Sequence, residues 1–73
     1  MEIYRTEGMP SFEERLVEAR ALVLKEQRAS ISTLQRYLRI GYNVSARLLE
    51  ELEREGLVSP MDTMGRRTVL KAP

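Results

Sequence analysis

Residues 39–50 read Arg-Ile-Gly-Tyr-Asn-Val-Ser-Ala-Arg-Leu-Leu-Glu, and this stretch decides the fold. Gly41 interrupts one helical pattern, Asn43 is a favourable N-cap for the next helix, and Gly56 ends that helix as a good C′ residue. At about 100° per residue, four apolar side chains fall on one face of this helix. They are Val44, Leu48, Leu49 and Leu52. The stretch therefore predicts an amphipathic helix with one buried face.

The opposite face of this helix carries Asn43, Arg47 and Glu50, at positions i, i+4 and i+7. With Arg54, these side chains fall within about 60° of one another. Asn suits adenine, Arg suits guanine, and Glu can accept from the amino group of cytosine. Periodicity alone favours a solvated polar face, which is the alternative. The elements before and after the helix reverse that preference, and we predict that the three side chains read DNA bases.

A shorter helix is predicted directly before this one. Ser32, followed three residues later by Gln35, fits a capping box that starts it. Arg36 and Arg39 lie on its outward face. Two helices joined by a tight turn that contains glycine form the helix-turn-helix arrangement, in which the second helix enters the major groove.

The N-terminal part of the chain divides at residue 10. Residues 1–10 are interpreted as an arm or a linker remnant, and residues 11–73 as one DNA-binding domain. Ser11 and Glu14 fit a capping box for a helix that runs to about Gln27. Four of its side chains repeat at helical spacing and predict its core stripe. They are Phe12, Leu16, Ala19 and Val23.

A second apolar stripe lies on roughly the far side of the first helix. It consists of Val17, Ala21 and Leu24. Two interpretations stay open. In one, Ile3, Tyr4 and Met9 fold back over the stripe. In the other, the stripe is a surface on which a protein partner docks.

The C-terminal residues predict a β-hairpin. Residues 57–59 and 67–70 contain Val, Thr and Leu and flank a loop with Pro, Asp and Gly. With a minimal strand at residues 29–31, they predict a three-stranded antiparallel sheet. The predicted fold class is therefore small α+β: a winged helix-turn-helix of three helices and a sheet with a β-hairpin wing. Arg66 and Arg67 would lie at the tip of the wing.

Composition excludes several classes of function. The 73 residues contain no cysteine and no histidine, so disulfides, thiolate zinc sites, cysteine nucleophiles and histidine bases are excluded. No carboxylate pair lies in a plausible pocket, so we predict no catalytic residue, no metal site and no cofactor. No apolar run approaches the roughly 20 residues of a membrane span, and the sequence shows no signal-peptide pattern. We expect a cytoplasmic location.

Charge is unevenly distributed although the net charge is only +1. Residues 29–49 contain three arginines and no acid, and residues 56–73 contain three basic residues and one acid. A neutral chain of this kind can present one positive face to phosphate. Six side chains are predicted to contact phosphates, two of them more weakly. They are Arg36, Arg39, Arg66 and Arg67, with Gln35 and Thr68 as the weaker contacts.

Eight short segments within residues 12–72 carry a resemblance to a known family. They are Ala29–Ser32, Leu34–Arg36, Arg39–Asn43, Ala46–Leu48, Leu52–Glu53, Gly56–Ser59, Gly65–Arg67 and Val69–Leu70. Together they resemble the γ domain of the FtsK/SpoIIIE DNA translocases. The contiguous Arg-Ile-Gly-Tyr-Asn run is far more specific than a general helix-turn-helix pattern.

The resemblance implies a winged-helix module of a hexameric motor, anchored in the inner membrane through another region, that pumps chromosomal DNA at cell division. Such modules recognise short, G-rich, polar octamers in double-stranded DNA, which orient loading and set the direction of translocation. In several bacteria they also contact a Xer-type tyrosine recombinase. The base-reading Asn, Arg and Glu of the family fall on Asn43, Arg47 and Glu50.

The chain has no Gly-rich Lys-Ser/Thr phosphate loop, so any ATPase activity would lie elsewhere in a parent protein. The isolated domain is expected to be a monomer that binds one DNA site in several copies. Two other functions stay open. One is a free-standing winged-helix transcriptional repressor that dimerises through the second stripe of the first helix. The other is a protein-interaction module that binds a basic partner through the acidic end of the third helix, without DNA.

Overall fold

The computed structural model of the chain describes residues 11–73, which form three helices followed by a C-terminal loop (residues 57–70). The helices are α1 (Phe12–Glu26), α2 (Ile31–Leu38) and α3 (Tyr42–Arg54). Within the described range no strand forms, and a single isolated antiparallel bridge joins Val58 to Val69. The described chain is therefore all-α. The predicted α+β winged helix-turn-helix with a three-stranded antiparallel sheet is wrong.

The predicted strand at residues 29–31 is wrong because this segment caps α2. Ser30 has extended backbone angles, and its Oγ accepts a hydrogen bond from the Thr33 N–H at 3.1 Å. A serine in this position satisfies an N–H that the helix leaves unpaired, which is typically worth about 1 kcal/mol. Ile31 is then the first residue of the helix. The predicted cap at Ser32 lies two residues too late.

The two predicted hairpin strands approach each other but form no ladder. Ser59 N–H donates to the Thr68 carbonyl at 2.8 Å, and Leu70 N–H donates to the Leu57 carbonyl at 2.8 Å. In a regular antiparallel pair, Thr68 N–H would donate to the Ser59 carbonyl. Here it donates instead to Ser59 Oγ at 2.8 Å. The Ser59 carbonyl accepts from the Arg67 guanidinium at 3.1 Å. Side chains therefore take the groups that strand pairing would use.

α1 begins as the sequence predicts. Ser11 Oγ accepts from the Glu14 N–H at 3.2 Å, and Glu14 Oε1 accepts from the Ser11 N–H at 2.9 Å. This reciprocal capping box satisfies two backbone donors at once. The helix ends at Glu26, followed by Gln27 in the left-handed region at φ 55°. Both ends of the predicted helix are confirmed to within one residue.

The N-cap of α3 lies two residues earlier than predicted. Gly41 is its N-cap and makes no side-chain bond, so the prediction of Asn43 as N-cap is wrong. Ser45 is buried and its Oγ donates to the Gly41 carbonyl at 2.9 Å, which ties the first turn together. Asn43 is the second residue of the helix, so its side chain is not used as a cap. At the other end Gly56 adopts φ 80°, as expected of a C′ glycine.

The hydrophobic core lies between the three helices and includes the start of the C-terminal loop. Its buried side chains are Ala19, Val23, Ala29, Leu34, Leu48, Leu49, Leu52, Leu57 and Val58. The predicted apolar face of α3 is confirmed, with Val44 packing at the edge of this cluster. In α1, Phe12 and Leu16 are half-buried beside the core. No helix within residues 11–73 has the length and apolar character needed to cross a membrane.

Candidate nucleic-acid interface

The three predicted base-reading side chains all belong to the exposed side of α3. Asn43, Arg47 and Glu50 are each exposed to solvent. Leu48 and Leu52, on the opposite side of the helix, are fully buried. Because one face of α3 is fixed in the core, the helix holds the other face at a constant orientation. The assignment of Asn43, Arg47 and Glu50 as base contacts stays a prediction.

Arg47 is held against the first residue of α1. Its Cζ lies 4.7 Å from the centroid of the Phe12 ring, over the ring. A guanidinium in this position is attracted to the negative face of the aromatic ring. Sequence reasoning placed Phe12 in the core stripe and missed this contact. Spacing along α1 could not reveal it, because the contact depends on how α1 packs against α3.

A groove runs between α2, α3 and the C-terminal loop, and five of the predicted contact residues line it. They are Gln35, Glu50, Arg66, Arg67 and Thr68. Other polar residues that were not predicted as DNA contacts also line the groove. Four of them are Arg28, Ser30, Ser32 and Tyr42. Glu50 also borders a smaller depression with Phe12 and Arg47, so it lies on the ridge between the two surfaces.

Arg36 and Arg39 lie at the end of α2 and outside the residues that line the groove. Both are exposed. Arg39 is the C-cap of α2 and adopts the left-handed conformation at φ 56°, with its N–H donating to the Gln35 carbonyl at 3.0 Å. These two cations are therefore exposed but do not line the groove, and their role as phosphate contacts stays a prediction.

Arg66 and Arg67 are adjacent in sequence but differ in surroundings. Arg67 Nη1 donates to Glu53 Oε1 at 2.7 Å and to the Ser59 carbonyl at 3.1 Å, and its side chain is 8% exposed. Its charge is largely neutralised by Glu53, so it adds little positive potential to the groove. Arg66 is exposed, and within residues 11–73 no carboxylate forms an ion pair with it.

The tip of the C-terminal loop fixes the backbone at Arg66. Asp62 Oδ1 accepts hydrogen bonds from the N–H groups of Met64 and Arg66, both at 2.8 Å. Asp62 N–H donates in turn to the Arg66 carbonyl at 2.8 Å. An aspartate that binds backbone N–H groups in this way stabilises a tight turn. Gly65 completes the turn at φ 78°, a conformation that glycine adopts without strain.

The acids of α3 and its C-cap are mostly engaged in ion pairs. Glu51 pairs with Arg54 at 2.8 Å and Glu53 with Arg67 at 2.7 Å. Glu55 accepts two bonds from Arg20, at 2.9 and 2.7 Å, and the hydrogen bond from this guanidinium lowers the pKa of Glu55. The fourth acid of this group is Glu50, which forms no ion pair within residues 11–73. Glu50 is therefore an exposed acid of the candidate interface whose charge no arginine of the described residues neutralises.

The second stripe of α1 divides between surface and core. Val17 is 61% exposed and Ala21 is exposed, whereas Leu24 is half-buried and packs against the core. The alternative interpretation, in which three N-terminal side chains fold over the stripe, falls on Ile3, Tyr4 and Met9, which lie outside the described residues. Docking of a protein partner on this stripe stays a prediction.

Comparison with known proteins gives one family and a consistent set of relatives. The sequence model of the FtsK gamma domain matches residues 11–72. DNA translocase FtsK 2 of Ralstonia nicotianae is 61% identical over 49 residues, which cover 67% of this chain and 6% of that protein. DNA translocase FtsK 2 of Neisseria meningitidis is 55% identical over 53 residues, covering 73% of this chain and 5% of that protein.

A more distant relative matches over more of the chain. DNA translocase FtsK of Streptococcus agalactiae is 42% identical over 66 residues, which cover 90% of this chain and 8% of that protein. The chain thus spans less than a tenth of the length of each of these three relatives.

Proposed function

The chain belongs to the FtsK γ-domain family, and from this premise we propose that it binds double-stranded DNA sequence-specifically through α3. Asn43, Arg47 and Glu50 read base edges in the major groove, where each base pair presents a distinct pattern of donors and acceptors. α3 follows α2 across a short turn, as a recognition helix follows its partner. The relatives are named as DNA translocases, which supports DNA as the ligand.

The observation that carries this proposal is the contrast between Glu50 and the other acids of α3. Glu51, Glu53 and Glu55 are neutralised by arginines of this chain, whereas within residues 11–73 Glu50 has no ion pair. An exposed carboxylate repels phosphate, so we infer that Glu50, three residues after Arg47, accepts a hydrogen bond from a base and does not contact the DNA backbone. The amino group of cytosine is the donor in the major groove that a carboxylate accepts from best.

We further propose phosphate contacts from the C-terminal loop and from α2. Arg66 is exposed and lines the groove, and Arg36 and Arg39 are exposed at the C-terminal end of α2. Gln35 and Thr68 add weaker, uncharged contacts. Arg67 acts mainly by holding the loop in place through Glu53 and contributes less to phosphate binding than its neighbour. These contacts position the domain without distinguishing sequences.

The family resemblance suggests the nature of the DNA site. A short, G-rich, directional octamer fits a reading surface built around one arginine, because Arg pairs with guanine O6 and N7. A single domain with about three to five phosphate contacts binds weakly, so several copies on adjacent sites, or attachment to a multimeric motor, raise the apparent affinity. In that setting the domain orients loading of the motor, whose ATPase lies in another part of the translocase.

A second partner is proposed for the exposed part of α1. Val17 and Ala21 form an apolar surface away from the α3 face, and a Xer-type recombinase is the partner that the resemblance suggests. This contact is separate from DNA reading. Val17→Asp should abolish capture of the recombinase and leave the affinity for DNA within about twofold, whereas loss of both would place the two functions on one surface.

The proposed function is tested by selecting duplexes from a randomised pool with the 73-residue chain and then titrating one selected and one random duplex by fluorescence anisotropy. We expect selection to enrich G-rich sites. The logarithm of the affinity should fall linearly with the logarithm of salt concentration, by about 0.9 for each phosphate contact. Absence of any enriched sequence would contradict specific reading, and affinity independent of salt would favour a protein-interaction module.

The two remaining alternatives are distinguished by simple measurements. Sedimentation equilibrium without DNA should give a monomer at micromolar concentration, whereas a dimer would favour a free-standing repressor. An interaction module that binds a basic partner through the acidic end of α3 has less support. Glu51, Glu53 and Glu55 already have arginine partners, so that end of the helix carries little free negative charge.

A further inference from the structure

We propose that Phe12 is a positioning residue for base reading, because its ring holds the guanidinium of Arg47 on the DNA-facing side of α3. The inference rests on the proposed function of Arg47. It assigns to an aromatic residue of α1 a part in the specificity of a surface that otherwise belongs to α3.

The contact is set by both helices. Arg47 Cζ lies 4.7 Å from the ring centroid of Phe12, inside the distance of about 6 Å at which an aromatic face attracts a cation. Phe12 is half-buried and packs against the hydrophobic core, which restricts the movement of the ring. The capping box between Ser11 and Glu14 fixes the backbone on both sides of Phe12.

The benefit to binding is preorganisation. An exposed arginine has many rotamers, and that freedom is lost when the side chain docks on a base. The contact with Phe12 restricts Arg47 before DNA arrives. The contact with the ring face does not occupy the N–H donors of the guanidinium. Within residues 11–73, the Arg47 side chain donates no hydrogen bond to an oxygen. The forked N–H groups therefore stay available for guanine O6 and N7.

The acids that follow Arg47 on α3 leave its guanidinium free to lie on the Phe12 ring. Glu50 and Glu51 lie three and four residues after Arg47, the spacings at which side chains on a helix can pair. Glu51 is engaged by Arg54 at 2.8 Å, and all four side chains border the same depression with Phe12. Arg47 thus lies on an aromatic surface and keeps its charge for the ligand instead of losing it to Glu51.

The first test compares Phe12→Leu and Phe12→Met with Phe12→Tyr. The first two keep an apolar side chain but remove the ring, and the third keeps the ring. Affinity is measured on a duplex selected by this chain and on a random duplex. We expect Leu and Met to weaken binding of the selected duplex about two- to fivefold, with the random duplex unchanged, and Tyr to bind as the original chain does.

A double-mutant cycle with Arg47→Ala separates positioning from packing. In the Arg47→Ala background, Phe12→Leu should have no further effect on the ratio of selected to random affinity. The inference is overturned if Phe12→Leu leaves the ratio unchanged while Arg47→Ala lowers it, or if Phe12→Leu lowers it equally in both backgrounds. If Arg47→Ala itself leaves the ratio unchanged, base reading by Arg47 fails first, and the inference fails with it.

A second readout needs no DNA. In the NMR spectrum, the Nε–H proton of Arg47 should be shifted upfield by the ring current of Phe12. The shift should disappear in Phe12→Leu and Phe12→Met and persist in Phe12→Tyr. Urea unfolding of each variant shows whether it is folded under these conditions. An Arg47 signal that is the same in folded variants with and without the ring would overturn the inference even if DNA binding changed.

Discussion

The guanidinium of Arg67 donates to the carboxylate of Glu53 at 2.7 Å, from a side chain that is only 8% exposed. The pair joins the C-terminal loop to α3, and the Ser59 carbonyl accepts a second bond from the same nitrogen at 3.1 Å. Arg66, one residue earlier, is exposed. Two adjacent arginines therefore have different physical roles, one in stability and one in ligand binding.

Stability should depend on Arg67 and hardly on Arg66. Arg67→Ala removes a largely buried guanidinium and leaves the Ser59 carbonyl without this donor, so the free energy of unfolding should fall by about 1–2 kcal/mol. The exposure of Glu53, 37%, keeps the loss below that of a fully buried pair. Urea unfolding measures the change, with Arg66→Ala as the matched control, expected within about 0.5 kcal/mol of the original chain. Equal losses for both variants would contradict the assignment.

Phosphate binding should show the reverse order. Arg66→Ala should weaken binding to every duplex alike and reduce the slope of log affinity against log salt by about 0.9, the amount expected for one phosphate contact. Lys25→Ala on α1 removes an exposed positive charge that does not line the groove and should leave the slope unchanged. If the slopes of Arg66→Ala and the original chain agree, the C-terminal loop does not contact DNA.

Base preference should depend on Glu50. Glu50→Ala removes a carboxylate that repels phosphate, so affinity for random duplex should stay equal or rise, while discrimination among sites should decrease. Glu13→Ala provides the control, because it removes an exposed acid of α1 that forms no ion pair within residues 11–73 and changes the net charge by the same amount. Should both variants simply bind all duplexes more tightly, with site preference intact, Glu50 is only a solvated helix charge. A large non-additive term with Arg47→Ala would indicate that Glu50 also orients that guanidinium.

Stability at low pH should depend on Glu55. The hydrogen bond from Arg20 lowers the pKa of Glu55 in the folded chain. The resulting stabilisation is present above the ordinary glutamate pKa of about 4.3 and is lost as the pH falls through the lowered value. Both side chains are about one-third exposed, so the contribution should remain below about 1 kcal/mol. The free energies of unfolding of the original chain and of Glu55→Gln, measured with urea, should differ at pH 7 and converge near pH 2. A difference that stays constant with pH would show that the Arg20–Glu55 pair is not its cause.

The parts of the fold that could be predicted are those encoded by short-range patterns. The Ser11 and Glu14 capping box and the apolar face of α3 each depend on residues within two helical turns, and both are confirmed. The sequence predicted the cap of α2 at Ser32, because Ser32 and Gln35 match the capping-box spacing. The structure selects Ser30, whose hydroxyl accepts the Thr33 N–H, so local spacing alone could not decide between Ser30 and Ser32.

The absent sheet has a different cause. Residues 57–59 and 67–70 have side chains that favour strands, but ladder formation depends on which partner each backbone group finds. The Ser59 carbonyl accepts from the Arg67 guanidinium, and Thr68 N–H donates to the Ser59 hydroxyl. These hydrogen bonds depend on the positions of particular side chains, which strand propensity does not predict.

The exposure of the candidate residues was predictable on α3 and less so in the C-terminal loop. Alternation along an extended segment could have separated the two arginines, because residues two apart face the same side. Arg67 shares its side with Val69, which packs against the core, and Arg66 shares its side with the exposed Thr68. The pairing of α3 acids with distant arginines, as in Arg20 with Glu55, could not be predicted without the packing of α1 on α3.

The central claim is that α3 reads bases, and Arg47→Ala tests it most directly. Affinity is measured by anisotropy, for the original chain and the variant, on a duplex selected by the original chain and on a random duplex of equal length. Loss of a bidentate contact with guanine should weaken the selected duplex by about 1–3 kcal/mol and the random duplex far less. Equal weakening of both duplexes would mean that Arg47 contacts phosphate, and base reading by α3 would be contradicted.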